Sequence, residues 1–86
     1  MGLDSVELVM EAERLFNIEL PDEKVSHIYT FGAFVDCVYD TSRSLDRRIE
    51  REEIYMTLRK MVSELLAVQE RDIRPESRFI EDLGMN

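Results

Sequence analysis

The residues best suited to covalent or acid–base chemistry in this chain are its single histidine, His27, and its single cysteine, Cys37. His27 has no cysteine or second histidine nearby to complete a metal site, and no nucleophile that would complete an acyl-transfer triad. Cys37 lies in the apolar stretch 34–38, where a thiol is typically a small packing group. The sequence also contains no glycine-rich phosphate loop and no calcium-loop pattern. We therefore expect neither an enzyme nor a metal site.

Carboxylates are the second candidate for chemistry. Residues 3–16 and the turn after them carry five of these groups: Asp4, Glu7, Glu11, Glu13 and Glu19. The apolar residues between them recur at three- and four-residue intervals, which predicts an amphipathic helix. Its expected inward stripe is Val6, Val9 or Met10, Ala12 or Glu13, and Phe16. Such a helix presents acid to basic surfaces of partner proteins; the alternative is an ordinary solvated face that needs no partner.

The net charge of −8 restricts the classes of partner. Residues 1–40 hold nine acidic and two basic side chains, whereas residues 41–86 hold ten acidic and nine basic ones. A chain with this charge repels nucleic-acid phosphates and anionic membranes, so we expect no partner of either class. One cysteine cannot form an internal disulfide, no apolar run can span a bilayer, and the N-terminus lacks a signal-peptide pattern. These features predict a cytoplasmic protein.

The first half of the chain has the periodicity of two main helices and one short helix. The first is expected over residues 3–17, with Asn17 as its terminator, and a short helix over residues 22–27 follows it. Thr30 is of the right type to cap a third helix over residues 31–39. The expected inward stripe of this third helix is Phe31, Phe34, Val35 and Val38.

The second half is expected to contain a linker, one long helix and a loop. Residues 41–50 are polar and basic, which is typical of a linker. The long helix would begin at Ile49 or Glu52, and one apolar stripe follows its helical spacing: Ile54, Leu58, Met61, Val62, Leu65 and Leu66. Pro75 breaks this periodicity, which predicts a loop with four apolar anchors: Ile73, Phe79, Ile80 and Leu83. The whole chain, residues 1–86, is expected to form one small all-α domain.

Two stretches of this sequence resemble acyl carrier proteins, in the reverse of that family's order. The stretch LDSVELVMEAERLFNIELPDE, residues 3–23, resembles the family's second helix. Residues 1–40 as a whole resemble the part of the family that runs from its second helix to its last. Residues 51–86 resemble the family's first helix and long loop, closing on Phe79-Ile80-Glu81-Asp82-Leu83-Gly84 as the Phe-x-x-Asp-Leu-Gly signature. The resemblance implies an acyl-carrier-like bundle with permuted connectivity. Three explanations fit this order: a circular permutant, a segment of a tandem carrier array, or a chain that exchanges halves with a second copy. The protein would accordingly be a monomer or a swapped homodimer.

The resemblance also implies a position for a prosthetic group. If residue 86 is followed by residue 2, the family register has no gap, and the serine that carries 4'-phosphopantetheine in that family falls on Gly2, which has no hydroxyl. The dipeptide Asp4-Ser5 imitates the family's Asp-Ser three residues later, about one helical turn along. Ser5 is therefore the candidate attachment site, and the alternative is an ordinary capping serine.

The function that the resemblance implies is that of a non-catalytic carrier, of the kind used in fatty acid and polyketide biosynthesis. It would hold acyl or aminoacyl groups as thioesters on 4'-phosphopantetheine. Its partners would be a phosphopantetheinyl transferase and acyl-transferring or synthase enzymes with basic patches, which would recognise Asp4, Glu7, Glu11, Glu13 and Glu19. The alternative is an interaction module that keeps the carrier fold without the arm, which Gly2 favours.

Overall fold

The computed structural model describes residues 5–85, which form four helices and one 3₁₀ turn. They are α1 (Ser5–Phe16), α2 (Asp22–Val25), α3 (Phe31–Ser44), α4 (Arg51–Leu66) and the turn Glu70–Asp72. Apart from an isolated antiparallel bridge between Thr30 and Arg78, the described residues form no strand. The predicted all-α class, with three main helices and one short helix, is confirmed. None of these helices combines the length and the apolar character that crossing a bilayer requires.

The centre of the core lies between α3 and α4, which pack against each other more extensively than any other pair of elements. The predicted stripe of α3 is fully buried, as are the residues that face it from α4: Phe31, Phe34, Val35, Val38, Ile54, Leu58 and Val62. The Phe31 and Tyr55 rings meet edge to face with centroids 5.2 Å apart. Thr30 caps α3 as predicted, because its hydroxyl accepts the Ala33 backbone N–H at 3.2 Å.

Helix α1 packs against α4 and closes the remaining side of the core. Leu8, Ala12 and Phe16, which are four residues apart, are all buried. Burial of such a stripe gives a short helix most of its stability, since twelve residues are marginal as an isolated helix in water. Helices α1 and α4 are therefore held together by buried apolar side chains.

Three helices end on a residue with left-handed backbone that is not glycine. Asn17 after α1, Asp46 after α3 and Ala67 after α4 have φ of 52°, 60° and 57°. Each allows the following N–H to bond back five residues, as Ile18 N does to the Glu13 carbonyl at 3.1 Å. Asparagine and aspartate tolerate this conformation, whereas alanine adopts it at a cost because its Cβ crowds the backbone. The predicted role of Asn17 as terminator is confirmed.

The C-terminal loop is fastened across the N-terminal end of α3 by backbone hydrogen bonds. The Phe31 and Gly32 N–H groups donate to the Ser77 and Pro75 carbonyls at 2.9 and 2.8 Å, and Phe79 N–H donates to the Tyr29 carbonyl at 2.9 Å. Ile73, Phe79 and Leu83 are buried beneath the loop, as predicted. Ile80, the fourth expected anchor, is 60% exposed, because Phe79 takes the inward position and its neighbour faces solvent.

Two element boundaries differ from the sequence-based expectation. Helix α3 continues to Ser44 rather than ending near Tyr39, since Thr41 and Ser42 are buried against the rest of the fold and no glycine or proline interrupts the helix. The polar stretch expected to be a linker therefore begins inside α3. The short second helix covers Asp22–Val25 and does not reach His27.

Replacing Ala67 by glycine is expected to stabilise the protein by about 1 kcal/mol, because glycine adopts the positive φ at this exposed helix end without steric cost. The free energy of unfolding, measured by urea titration with circular dichroism, checks this. The matched control is Ala33→Gly in the first turn of α3, where the same substitution should destabilise by about 1 kcal/mol. Equal effects of one sign at both positions would contradict the left-handed conformation of Ala67.

Replacing Gly32 by alanine is expected to destabilise the protein by about 2 kcal/mol. A Cβ at this position would lie 2.8 Å from the Pro75 carbonyl oxygen and 3.2 Å from Pro75 Cα, so the loop would have to move away from α3. Alanine is otherwise the better helix former, so a loss of stability would report the contact with Pro75.

The control for this contact is Gly84→Ala, where φ is +76° and no atom lies within 4 Å of the added Cβ. That change should cost only the conformational strain, about 1 kcal/mol. Unfolding free energies from urea titration separate the two, and a Gly32→Ala variant as stable as the parent would show that the loop is not fastened there.

Candidate functional site

The candidate site is built on α1, whose exposed and buried faces differ from the prediction. Val6, expected in the inward stripe, is 59% exposed, and Met10 is 61% exposed. Val9, the alternative to Met10 in that stripe, is partly buried against the core. The core takes Leu8, which was not expected, together with Ala12 and Phe16, which were. Both sets have helical spacing, and α4 covers only the face that contains Leu8. The expected inward position of Val6 is therefore wrong, and Val9 rather than Met10 faces the core. The outer face of α1 is apolar as well as acidic.

Glu11, one of the carboxylates on α1, is bound by an arginine of the same helix. The Glu11 carboxylate accepts hydrogen bonds from Arg14 Nε and Nη2 at 2.8 and 2.7 Å, a bidentate pair. The hydrogen bond from Arg14 keeps the pKa of Glu11 below its usual value. The charge of Glu11 is accordingly neutralised in part. The side chains of Glu7 and Glu19 are more exposed to solvent than that of Glu11.

Glu13 has a structural contact that its place in the acidic group did not suggest. Its Oε2 accepts the Leu20 backbone N–H at 2.7 Å, seven residues away. This bond fixes the turn that leads from α1 towards Pro21 and α2, and Leu20 itself is buried. No periodic pattern relates the two positions, so sequence reasoning could not identify the contact.

The candidate attachment residue lies at the N-terminal end of α1. Ser5 is the first residue of that helix, and its side chain lies outside what the structure describes. Asp4, the fifth predicted recognition carboxylate, and Gly2, where the family register puts the modified serine, both lie outside the described residues. The structure therefore describes the helix that begins at Ser5 and the surface beside its first turns.

A partly open cavity of about 340 Å³ adjoins these first turns. Its lining includes Leu8 and Val9 of α1, Phe34 of α3, and Phe79 and Met85 of the C-terminal loop, together with residues of α2 and of the segment after it. The lining is predominantly apolar. Leu8 is three residues from Ser5, which corresponds to about 5 Å along a helix axis. A flexible apolar group attached near the start of α1 could therefore enter this cavity.

Cys37 and His27 do not form part of this site. Cys37 is half-buried on α3 and packs against the core, as predicted. Burial raises the pKa of its thiol, although the nearby Lys24 charge acts in the opposite direction. A protonated thiol is a weak nucleophile. His27 is exposed just beyond α2, and residues 5–85 contain no group of three His, Cys, Asp or Glu side chains placed to hold a metal ion.

Sequence reasoning also missed an arginine that contacts the far end of α1. The Arg47 guanidinium donates a hydrogen bond from Nη1 to the Phe16 backbone carbonyl. The last carbonyls of a helix lack partners within the helix, so a cation is favourable there. The basic character of residues 43–51 was visible in the sequence, but nothing in it indicated a carbonyl 31 residues earlier as the partner.

Comparisons with known proteins give several relatives, each matched over one short stretch. The acyl carrier protein of Wolinella succinogenes is 56% identical over 34 residues, which are 40% of this chain and 45% of that protein. The acyl carrier protein of Amoebophilus asiaticus is 47% identical over 35 residues, which are 41% of this chain and 44% of that protein. That of Phenylobacterium zucineum is 47% identical over 39 residues, which are 45% of this chain and 49% of that protein. These matches confirm the resemblance to acyl carrier proteins over one stretch of the chain.

The matches are partial. The chain spans about half the length of the curated relatives it matches. These relatives are named as carriers and not as enzymes, in agreement with the prediction from the sequence. No protein-family model matches the chain, and no solved structure matches it.

The stability of two variants tests whether Leu8 rather than Met10 is buried on the inward face of α1. Leu8→Ala should lower the free energy of unfolding by about 3 kcal/mol, because a buried leucine is truncated. Met10→Ala should change it by less than about 0.5 kcal/mol, since the side chain is exposed and both residues favour helix. Urea titrations of the two variants check this. A larger loss of stability in Met10→Ala than in Leu8→Ala would mean that Met10 faces the core and Leu8 faces solvent.

Proposed function

Because this chain is acyl-carrier-protein-like in sequence and folds as a small helical bundle, we propose that it is a carrier. It holds acyl or aminoacyl groups as thioesters on a 4'-phosphopantetheine arm and brings them to partner enzymes. The arm supplies the thiol that bears the acyl group, and the chain supplies the cavity that would take up this group. The observation that carries this proposal is the apolar cavity one helical turn from the start of α1, bounded by Leu8, Val9 and Met85.

The cavity suits the proposed cargo by its chemistry. Apolar walls from three elements would bury the hydrocarbon part of an acyl group, and each buried methylene contributes about 0.8 kcal/mol. Tyr29 and Ile80, which are 68% and 60% exposed, lie at the outer edge of the lining. They leave the cavity accessible from solvent, so cargo could leave it when a partner enzyme binds.

We further propose that the chain is a carrier in rotated order, in which residues 1–40 supply the family's later helices, residues 41–50 the connection, and residues 51–86 its first helix and loop. Two observations support this arrangement. Helix α4 packs against α1, and Met85 lines the same cavity as Leu8 and Val9. An alignment that keeps the order of residues can include only one of two segments whose order differs between the proteins. The matched stretches of 34 to 39 residues agree with this limit.

The attachment point in this proposal is Ser5. It is the first residue of α1, and a phosphodiester there benefits from the positive end of the helix dipole. The family register instead points to Gly2, which cannot be modified. This conflict favours the second candidate function, a carrier-fold interaction module without the arm.

The proposed partners are a phosphopantetheinyl transferase and acyl-transferring or synthase enzymes with basic patches, of the fatty acid or polyketide class. The exposed surface of α1 supports this, because carboxylates and apolar side chains alternate on it. Glu7 and Glu19 offer charge, and Val6 and Met10 offer apolar area beside it. Asp4, Glu11 and Glu13 complete the proposed recognition group. The net charge of −8 favours rapid encounter with basic proteins. The single cysteine, which cannot form an internal disulfide, is compatible with the proposed cytoplasmic setting.

Incubation with coenzyme A and a broad-specificity phosphopantetheinyl transferase tests the attachment. Intact-mass spectrometry should show one added phosphopantetheine on the parent chain, none on Ser5→Ala, and one on the control Ser44→Ala, which changes an exposed serine of α3. A mass gain that persists in Ser5→Ala would refute Ser5 as the site. No gain in the parent, with a gain in Gly2→Ser, would support the interaction module instead.

A further inference from the structure

The connection between α3 and α4 contains no residue that breaks a helix. It is the sequence Leu-Asp-Arg-Arg-Ile-Glu, residues 45–50, without glycine or proline. Leucine, arginine and glutamate are among the better helix formers. The two helices are separated by a turn at Asp46, where φ is 60°. The same residues could instead continue α3 directly into α4.

The turn is held by contacts that exist only while it is closed. The Arg47 N–H donates to the Ser42 carbonyl at 3.0 Å, which completes the end of α3. The Arg47 guanidinium then reaches the Phe16 carbonyl at the end of α1. If residues 45–50 became helical, Asp46 would leave its left-handed conformation and Arg47 would move away from Phe16. Both contacts would be lost.

The main contacts between α3 and α4 do not depend on this turn. The edge-to-face contact of Phe31 with Tyr55 and the ion pair of Asp36 with Arg51 join the two helices along their length. They would be equally satisfied if a second copy supplied α4. A closed chain and an exchanged pair therefore share the core contacts and differ mainly in the hinge.

We infer that residues 45–50 are a hinge at which the chain either closes on itself or straightens and exchanges α4 and the following loop with a second copy. In the exchanged pair, α3 and α4 form one helix of about 54 Å over residues 31–66. Two such helices lie antiparallel, each α3 against the partner copy's α4. Arg47 and Asp46 set the balance between the forms, and the partner is a second copy of this chain. This inference does not depend on the carrier function or on an attached arm.

Substitutions at the hinge test the inference. Each protein is refolded from urea at a series of concentrations and sized by light scattering coupled to gel filtration. Arg47→Ala removes a charged hydrogen bond found only in the closed form, worth about tenfold in equilibrium at each hinge. A pair contains two hinges, so the dimer dissociation constant should fall about a hundredfold. Asp46→Ala should act in the same direction, because alanine favours helix and disfavours positive φ.

Two variants serve as controls. Asp46→Gly fits the turn and disfavours helix, so it should make the protein more strictly monomeric than the parent. Arg51→Ala removes an ion pair that both forms share, so it should leave the dissociation constant within about threefold of the parent. Refolded Arg47→Ala and Asp46→Ala proteins that remain as monomeric as Asp46→Gly would overturn the inference.

A charge-reversal pair distinguishes exchange from surface association. Asp36→Arg and Arg51→Asp each bring like charges together across α3 and α4 in a closed chain. In an exchanged heterodimer of the two, both contacts pair opposite charges again. Joint refolding should therefore enrich heterodimers above random pairing, as measured by native mass spectrometry. Dimers that assort at random would mean that α4 is not exchanged.

Discussion

The packing of α4 against α3 is the interaction on which the rest of this structure depends. Phe31 and Phe34 at the start of α3 and Ile54 and Leu58 of α4 are almost completely buried, and the other elements are arranged on the surface that this pair provides. Helix α1 is too short to be stable alone and is ordered by the apolar face it buries. The cavity beside α1 is thus a consequence of this pairing, because Leu8 and Phe34 are placed on its walls by contacts made elsewhere.

The second constraint is the attachment of the C-terminal loop to the N-terminal end of α3. The N-terminal N–H groups of a helix have no partners within the helix, and the Pro75 and Ser77 carbonyls accept two of them. A side chain at Gly32 would prevent this approach. The loop is consequently held close enough for Phe79 to enter the core, where its ring meets Phe34 edge to face at 5.9 Å. The two backbone hydrogen bonds thereby complete both the core and the wall of the cavity.

The sequence predicted the helices of this protein more reliably than their faces and ends. The stripe of α3 and its Thr30 cap follow from local spacing and hydrogen bonding, so they were accessible. The first turns of α1 were not, because Val6 and Met10 have the same helical spacing as Leu8 and Ala12, and only tertiary packing chooses between them. The candidate site shows the same division. Its carboxylates were visible in the sequence, whereas the contacts of Glu13 with Leu20 and of Arg47 with Phe16 join positions that no local rule relates.

The loop attachment also has a consequence for amide hydrogen exchange. The N–H groups of Phe31, Gly32 and Phe79 join the start of α3 to the C-terminal loop, so their deuterium uptake requires the loop to leave α3. Local fraying at the ends of α1 or α4 would leave these three amides protected. Their exchange rate therefore measures the free energy of detaching this loop from α3, whereas amides in the first turn of α1 report only local fluctuation.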